Sequence, residues 1–229
     1  DLVWQLANGR MFNYLSRPRR FGKSLLVDTL RCYFEGKKEL FEGLKIMELE
    51  KEWKVSPVIR FDMSNAGASA EDLNSYFNST FWDLERKYSV KTFDGDSLSG
   101  RFNRILRTAS NEGENPVVIL IDEYDSPLQH SWHTPEHEAC TAIYRKVFAL
   151  LKSCTQYERF VFLTGITKFT QISLFSVLNN LTNVSFMPQY AAICGITKQE
   201  IHENFMPEIE AMAKHDGKTA DDIFAKLKY

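Results

Sequence analysis

Residues 17 to 24 read Arg-Pro-Arg-Arg-Phe-Gly-Lys-Ser and lie between two contrasting segments. Before them, Met11 to Leu15 is a compact apolar stretch suited to a buried strand. After them, Leu25, Leu26, Thr29, Leu30, Tyr33 and Phe34 recur at helical spacing until Gly36 stops the run. Strand, loop and helix in that order are the context a phosphate-binding loop requires.

A triphosphate needs converging backbone N–H groups, a cation that reaches its terminal phosphates and a hydroxyl for magnesium. Gly22 lets the main chain approach a phosphate oxygen, Lys23 supplies the cation where the helix dipole adds positive potential, and Ser24 supplies the metal-binding hydroxyl. With Arg17, Arg19, Arg20, Phe21 and Leu25 they make up the candidate nucleotide-binding stretch. One position departs from the common pattern G-x-x-x-x-G-K-[ST], whose first glycine is replaced by Arg17. Either the turn differs there or Arg17 itself meets phosphate. Of the three arginines, one is expected to grip phosphate. The competing readings are a basic surface loop and an arginine reaching across a subunit boundary, which would make the protein an oligomer.

A second motif strengthens the first. Val117 to Ile121 is a continuous apolar run, too short for a helix and typical of a strand covered on both faces, and it ends in Asp122 and Glu123. Two carboxylates at the carboxyl end of a buried parallel strand are poorly explained by packing. That edge of an open α/β sheet is where ligands bind, so Asp122 is expected to hold magnesium and Glu123 to polarise an attacking water.

The segments Phe12 to Leu26, Ile121-Asp-Glu-Tyr-Asp-Ser-Pro-Leu128 and Thr164-Gly-Ile-Thr-Lys-Phe169 together resemble the AAA-ATPase-like family of bacterial P-loop ATPases. The likeness extends over nearly the whole chain. It implies a P-loop NTPase three-layer sandwich with a parallel sheet of order 5-1-4-3-2, a further strand between the two motif strands, ATP and Mg2+ as ligands, and often a nuclease-like domain downstream. Matched by position, Lys23 and Ser24 are the loop lysine and hydroxyl, Asp122 and Glu123 the acidic pair, and Thr164 the polar residue that ends the fourth strand. Phe160 to Leu163 is a short apolar run, so a hydroxyl at its carboxyl end can sense the terminal phosphate or position water. The alternative for Thr164 is a residue capping its own turn before Gly165.

A chain of 229 residues with 44% hydrophobic content can bury a substantial core. Its formal charge of -2 gives no electrostatic case for bulk binding to nucleic acid or an anionic membrane. No apolar stretch approaches a membrane span and no signal peptide is visible. Cys32, Cys140, Cys154 and Cys194 show no paired spacing and read as reduced, partly buried thiols, which suits the cytoplasm.

The remaining pattern alternates strands with helices and so predicts an α/β fold. Leu2 to Ala7 reads as a helix, Val58 to Met63 as a strand, residues 70 to 88 and Leu98 to Ala109 as helices, Thr141 to Leu151 as a helix, and Ile172 to Leu181 as another. Residues 1 to 190 form the expected core and 191 to 229 a small helical lid. In the lid, the capping box Thr197-Lys-Gln-Glu200 opens a helix expected to reach about Ala213, and Thr219 to Leu227 forms a second. The chain closes at Lys228-Tyr229 inside a helical pattern, which points to a longer natural protein.

Two other clusters carry weaker signals. Arg101, Arg104 and Arg107 recur every third residue, as an arginine finger or, preferably, as a solvated helix face. His130, His133, His137 and Cys140 have spacings that could ligate zinc, but the intervening Pro135 and the lack of a second cysteine pair favour a polar loop entering a helix. Three functions follow from these residues: an ATPase, a nucleotide-dependent switch with little hydrolysis, and a nucleic-acid or nuclease-associated module. Which base is preferred is not specified by the motifs.

Overall fold

The computed structural model describes residues 1–166 and 181–227, and the expected helix at Ile172 to Leu181 lies outside them except for its last residue. The chain divides into two compact units, Asp1–Ile193 and Cys194–Tyr229.

In the first unit the chain begins with helix α1 (Leu2–Ala7), strand β1 (Phe12–Ser16) and helix α2 (Lys23–Phe34). A short helix α3 (Ile46–Leu49) precedes β2 (Val58–Asp62), and two long helices follow, α4 (Ala70–Lys87) and α5 (Leu98–Glu112). Strand β3 (Val117–Asp122) leads through α6 (Ser126–His130), α7 (His137–Phe148) and α8 (Leu150–Ser153) to β4 (Glu158–Gly165). The two-residue strand β5 (Thr182–Asn183) completes the sheet. All pairings are parallel, and the strands lie in the order β2-β3-β4-β1-β5. Read from the other edge this is 5-1-4-3-2, the expected order, with β4 inserted between the two motif strands.

Alternation of side chains across each strand divides the core into two layers. Tyr14, Ile59, Phe61, Ile119, Ile121, Val161 and Leu163 join one cluster with Leu73, Phe77 and Phe81 of α4, Phe102 and Ile105 of α5, and Tyr144 and Phe148 of α7. Phe61 is the hub: the rings of Phe77, Phe81, Phe102 and Phe148 meet it edge-on at centroid distances of 6.1, 6.3, 5.6 and 6.4 Å. Helix α2 packs on β2, β3 and β4. There Phe34 lies 5.1 Å from the ring of Phe160, whose parity is opposite to that of Val161. Strands covered on both faces are apolar at successive positions, which is why β3 is buried from Val117 to Asp122.

The second unit consists of α9 (Lys198–Asn204), α10 (Met206–Asp216) and α11 (Ala220–Lys226), with Ile209, Ala213 and Ile223 at its centre. The capping box at Thr197 and Glu200 forms as expected, and a second forms at Thr219 and Asp222. The helix expected to reach Ala213 is instead two helices. Pro207 occupies the first turn of α10, where its missing N–H costs nothing, but it cannot continue α9, so the break falls at Phe205.

Two further expectations need correction. The helix expected from Thr141 begins at His137 and ends at Phe148, with α8 a separate turn. Arg101 and Arg104 are not a solvated row: Arg101 forks onto both carboxylate oxygens of buried Glu85 at 2.8 and 2.7 Å, and Arg104 pairs with Asp96. Only Arg107 is exposed. No helix among the described residues is long and apolar enough to cross a membrane.

Glu158 opens β4 at the sheet edge opposite the acidic pair, 2% exposed, and neither carboxyl oxygen has a hydrogen-bond partner among the described residues. Burial raises its pKa from 4.5 to about 8. Between those values the folded chain keeps the proton that the unfolded chain has released, so the contribution of Glu158 to stability is greatest below 4.5 and falls as pH rises towards about 8. Glu158→Gln is expected to flatten the decline in denaturation free energy measured over that range and to stabilise the protein at neutral pH. An unchanged slope would contradict the burial of an ionisable carboxyl there.

Candidate nucleotide site

The site is built where β1, β3 and β4 end on the same edge of the sheet. After β1 the chain is fixed by main-chain and side-chain bonds: the Ser16 N–H donates to Ser185 Oγ at 2.7 Å and the Arg17 N–H to Gly165 O at 3.3 Å. The loop then takes two left-handed residues, Arg20 with φ of 66° and Gly22 with φ of 76°. Gly22 is the residue before the first turn of α2, and a Cβ placed on it would meet nothing within 4 Å. Glycine is therefore favoured by backbone conformation rather than by space. Left-handed residues at such spacing occur in loops whose N–H groups form anion-binding concavities.

Lys23 is 5% exposed, and its ammonium folds back to donate to Arg17 O at 3.1 Å and Pro18 O at 3.0 Å. Its charge is thus held at the mouth of the loop. Ser24 and Leu25 are exposed on the first turn of α2. The guanidinium of Arg17 is committed elsewhere, donating to the carbonyls of Ser16 at 3.1 Å, Ser185 at 2.8 Å and Tyr190 at 3.5 Å. Arg17 replaces the first glycine of the pattern by tying the loop to the segment after β5. Arg19 and Arg20 are exposed, and neither forms a hydrogen bond or ion pair with a described residue.

The acidic pair is equally defined. Asp122 is 2% exposed, and its Oδ1 accepts from the Thr164 hydroxyl and, at 3.1 Å, from the Glu123 N–H. The same N–H lies 3.3 Å from Thr164 Oγ1, and the Tyr124 N–H donates to Thr164 O at 2.9 Å. The Thr164 hydroxyl thereby fixes Asp122 from the neighbouring strand. Glu123 adopts φ of 49°, a left-handed conformation that turns the chain sharply after β3.

Two residues carry roles that no motif announces. Arg60 of β2 reaches between α2 and β3, with Nη1 3.6 Å from Asp28 Oδ1 and Nη2 3.9 Å from Asp122 Oδ2. A charged residue inside the apolar run Val58 to Phe61 is the sequence signal for it. Asp125 is buried, and its Oδ2 accepts from the Ile166 N–H at 3.0 Å and from Gln129 Nε2 at 2.6 Å. This clasps the exit of β4 against the turn that follows Glu123. Tyr144 supports the same turn by donating to Tyr124 O at 2.9 Å, and complete burial keeps its phenol protonated by raising its pKa well above 10.0.

Arg19 of the loop and Glu123, just after β3, line one small cleft, together with Asp125, Ser126, Gln129 and Ile166. One loop arginine and the second acid therefore share a cleft. An exposed hydroxyl at Ser24 and a carboxylate at Asp122 are hard oxygen donors of the kind magnesium prefers, so the residues present fit that ion. The histidine cluster does not converge: His137 Nδ1 lies 3.1 Å from Ser131 Oγ, Cys140 is buried, and among the described residues no group of three metal-ligating side chains is gathered.

Gly165 is close-packed, since a Cβ there would lie 2.4 Å from Tyr124 Cε1 and 2.7 Å from Asp125 Oδ1. Gly165→Ala is expected to cost about 1–3 kcal/mol in denaturant unfolding by overpacking. Gly22→Ala, strained but unobstructed, should cost about 1 kcal/mol. No measurable cost at Gly165 would contradict the close approach of Tyr124 to it.

A relative in Azotobacter chroococcum mcd 1, named an uncharacterized protein in the vnfD 5′ region, is 33% identical over 206 residues, which are 89% of this chain. The chain spans 40% of that relative's length. Among solved structures, the Aeropyrum pernix ORC1 protein in complex with DNA aligns with a TM-score of 0.44 and 14% identity, over 97% of this chain and 56% of the other. The family described as predicted AAA-ATPase matches residues 1–175, and the chain belongs to that AAA-ATPase-like family.

Proposed function

We propose that the chain binds ATP with Mg2+ and hydrolyses it. Lys23 exchanges its two loop carbonyls for the terminal phosphates, and backbone N–H groups from Arg19 to Ser24 cradle the rest of the chain of phosphates. Ser24 and Asp122 would hold the magnesium ion, which when bound neutralises charge on the terminal phosphates. Glu123 accepts a proton from the attacking water as its oxygen bonds to the terminal phosphorus and the bond to the leaving ADP oxygen breaks. Thr164 is a positioning residue: it fixes Asp122 and the Glu123 backbone so that neither acid has to reorganise during the reaction.

The observation that carries this reading is the shared cleft of Arg19 and Glu123 at the edge where β1 and β3 end. Packing alone gives little reason for an exposed loop arginine and the carboxylate that follows β3 to converge.

Calorimetric titration with ATP and GTP, with and without magnesium, followed by phosphate release, tests the reading. Magnesium-dependent binding should weaken by about 2–4 kcal/mol in Lys23→Ala, the usual cost of removing a charged partner from a phosphate. Glu123→Gln should keep binding while turnover falls by about a hundredfold or more. Binding without any turnover in the wild-type protein would instead indicate a nucleotide-dependent switch, and no binding would overturn both readings.

A further inference from the structure

Hydrolysis by a loop of this kind needs a second cation near the terminal phosphate, because charge on the transferring group is redistributed towards the leaving oxygen in the transition state. In many such enzymes that cation comes from another molecule. The arginines available to this chain differ sharply in how they are already occupied. Arg17 is spent on three carbonyls, Arg101 on buried Glu85 and Arg104 on Asp96. Arg60 stands between Asp28 and Asp122, beneath the metal-binding acid. Arg20 is exposed in a left-handed turn and does not line the cleft.

Arg19 alone among these six faces the cleft that Glu123 lines, and it has no hydrogen bond or ion pair to any described residue. We propose that Arg19 is the chain's own arginine finger, a catalytic residue that contacts the terminal phosphate from within the phosphate-binding loop, so that no second subunit has to supply one. This rests on the ATPase reading above.

The chemistry follows from the position. Water attacks the terminal phosphorus, its proton passes to Glu123, the bond to the bridging oxygen breaks, and ADP leaves with that electron pair. A guanidinium on the Glu123 side of the phosphate presents a planar pair of donors to oxygens whose charge grows in that step. Because the start of the loop that carries it is fixed, by the Ser16 and Arg17 N–H groups to Ser185 Oγ and Gly165 O and by the Arg17 guanidinium to Ser185 O, placing that loop costs less entropy than placing a free one. An arginine that only neutralised Glu123 and Asp125 would serve bound ATP and transition state alike. A finger serves the transition state.

Single-turnover hydrolysis by the wild-type protein and by Arg19→Ala and Arg19→Lys, over a wide range of protein concentration, separates these cases. The affinities of Mg2+ with a non-hydrolysable ATP analogue and with ADP–fluoroaluminate are measured alongside. The wild-type rate constant should not depend on protein concentration, and Arg19→Ala should lower it by about a thousandfold while analogue affinity changes by about threefold or less. The variant should also lose the extra affinity for ADP–fluoroaluminate, and Arg19→Lys should recover only part of either effect. A rate constant that rises with protein concentration, or an Arg19→Ala variant that keeps its rate and its fluoroaluminate affinity, overturns the proposal. Wild-type protein that binds the ATP analogue but neither turns over nor favours fluoroaluminate overturns it too. Failure of the wild-type protein to bind any nucleotide would be seen before the variants are compared, and it would refute the ATPase reading itself.

Discussion

The bond from the Thr164 hydroxyl to Asp122 ties together everything that matters at this site. It exists only because β4 is inserted between β1 and β3, which places the end of one apolar strand beside the acidic end of another. The same insertion brings Gly165 O to the Arg17 N–H and so fixes where the phosphate-binding loop departs from the sheet. One strand thus anchors both halves of the site. Removing its hydroxyl would leave a buried carboxylate oxygen with a single donor, in a place where water cannot easily replace the lost bond.

Backbone conformations of higher energy gather at the same edge. Arg20 and Glu123 are left-handed without being glycine, and Gly22 shares that region. Each costs free energy that the surrounding bonds must offset, and here they do: Glu123 donates to Asp122, Asp125 clasps Ile166, and Ser126 donates back to Glu123 O at 2.9 Å. The reward is orientation. Glu123 is turned out of the strand into the cleft with Arg19, a direction that an ordinary extended residue following Asp122 would not take.

Much of this was legible in the residues themselves, and the reasons are physical. Val117 to Ile121 could be read as a doubly covered strand because burial on both faces removes the polar alternation that would mark a surface strand. The start of α2 after Gly22 could be read because the apolar residues from Leu25 recur at helical spacing. Strand order came from the likeness of three motifs to a family, not from periodicity. What escaped was long-range. At Arg17 the residues offered either a different turn or a phosphate contact, and the carbonyls that hold its side chain belong to residues 185 and 190, partners so distant that no local pattern announces them. Asp125 and Arg60 were hidden for the same reason, since their partners Ile166, Asp28 and Asp122 are adjacent only after the sheet has formed. The break at Phe205 is different, because Pro207 was visible and its effect on α9 followed from its missing N–H.

The account depends on one ion being shared between the loop and the acidic strand. Electron paramagnetic resonance of Mn2+ substituted for Mg2+ in the presence of ATP reads that arrangement directly, since manganese reports both its phosphorus neighbours and its protein ligands. The account predicts phosphorus coupling in the ternary complex together with a protein-dependent spectrum that reverts to that of free Mn2+–ATP in Asp122→Ala and Ser24→Ala. A spectrum identical for the wild-type protein and both variants would mean that the metal sits elsewhere, and that loop and acids do not form one site.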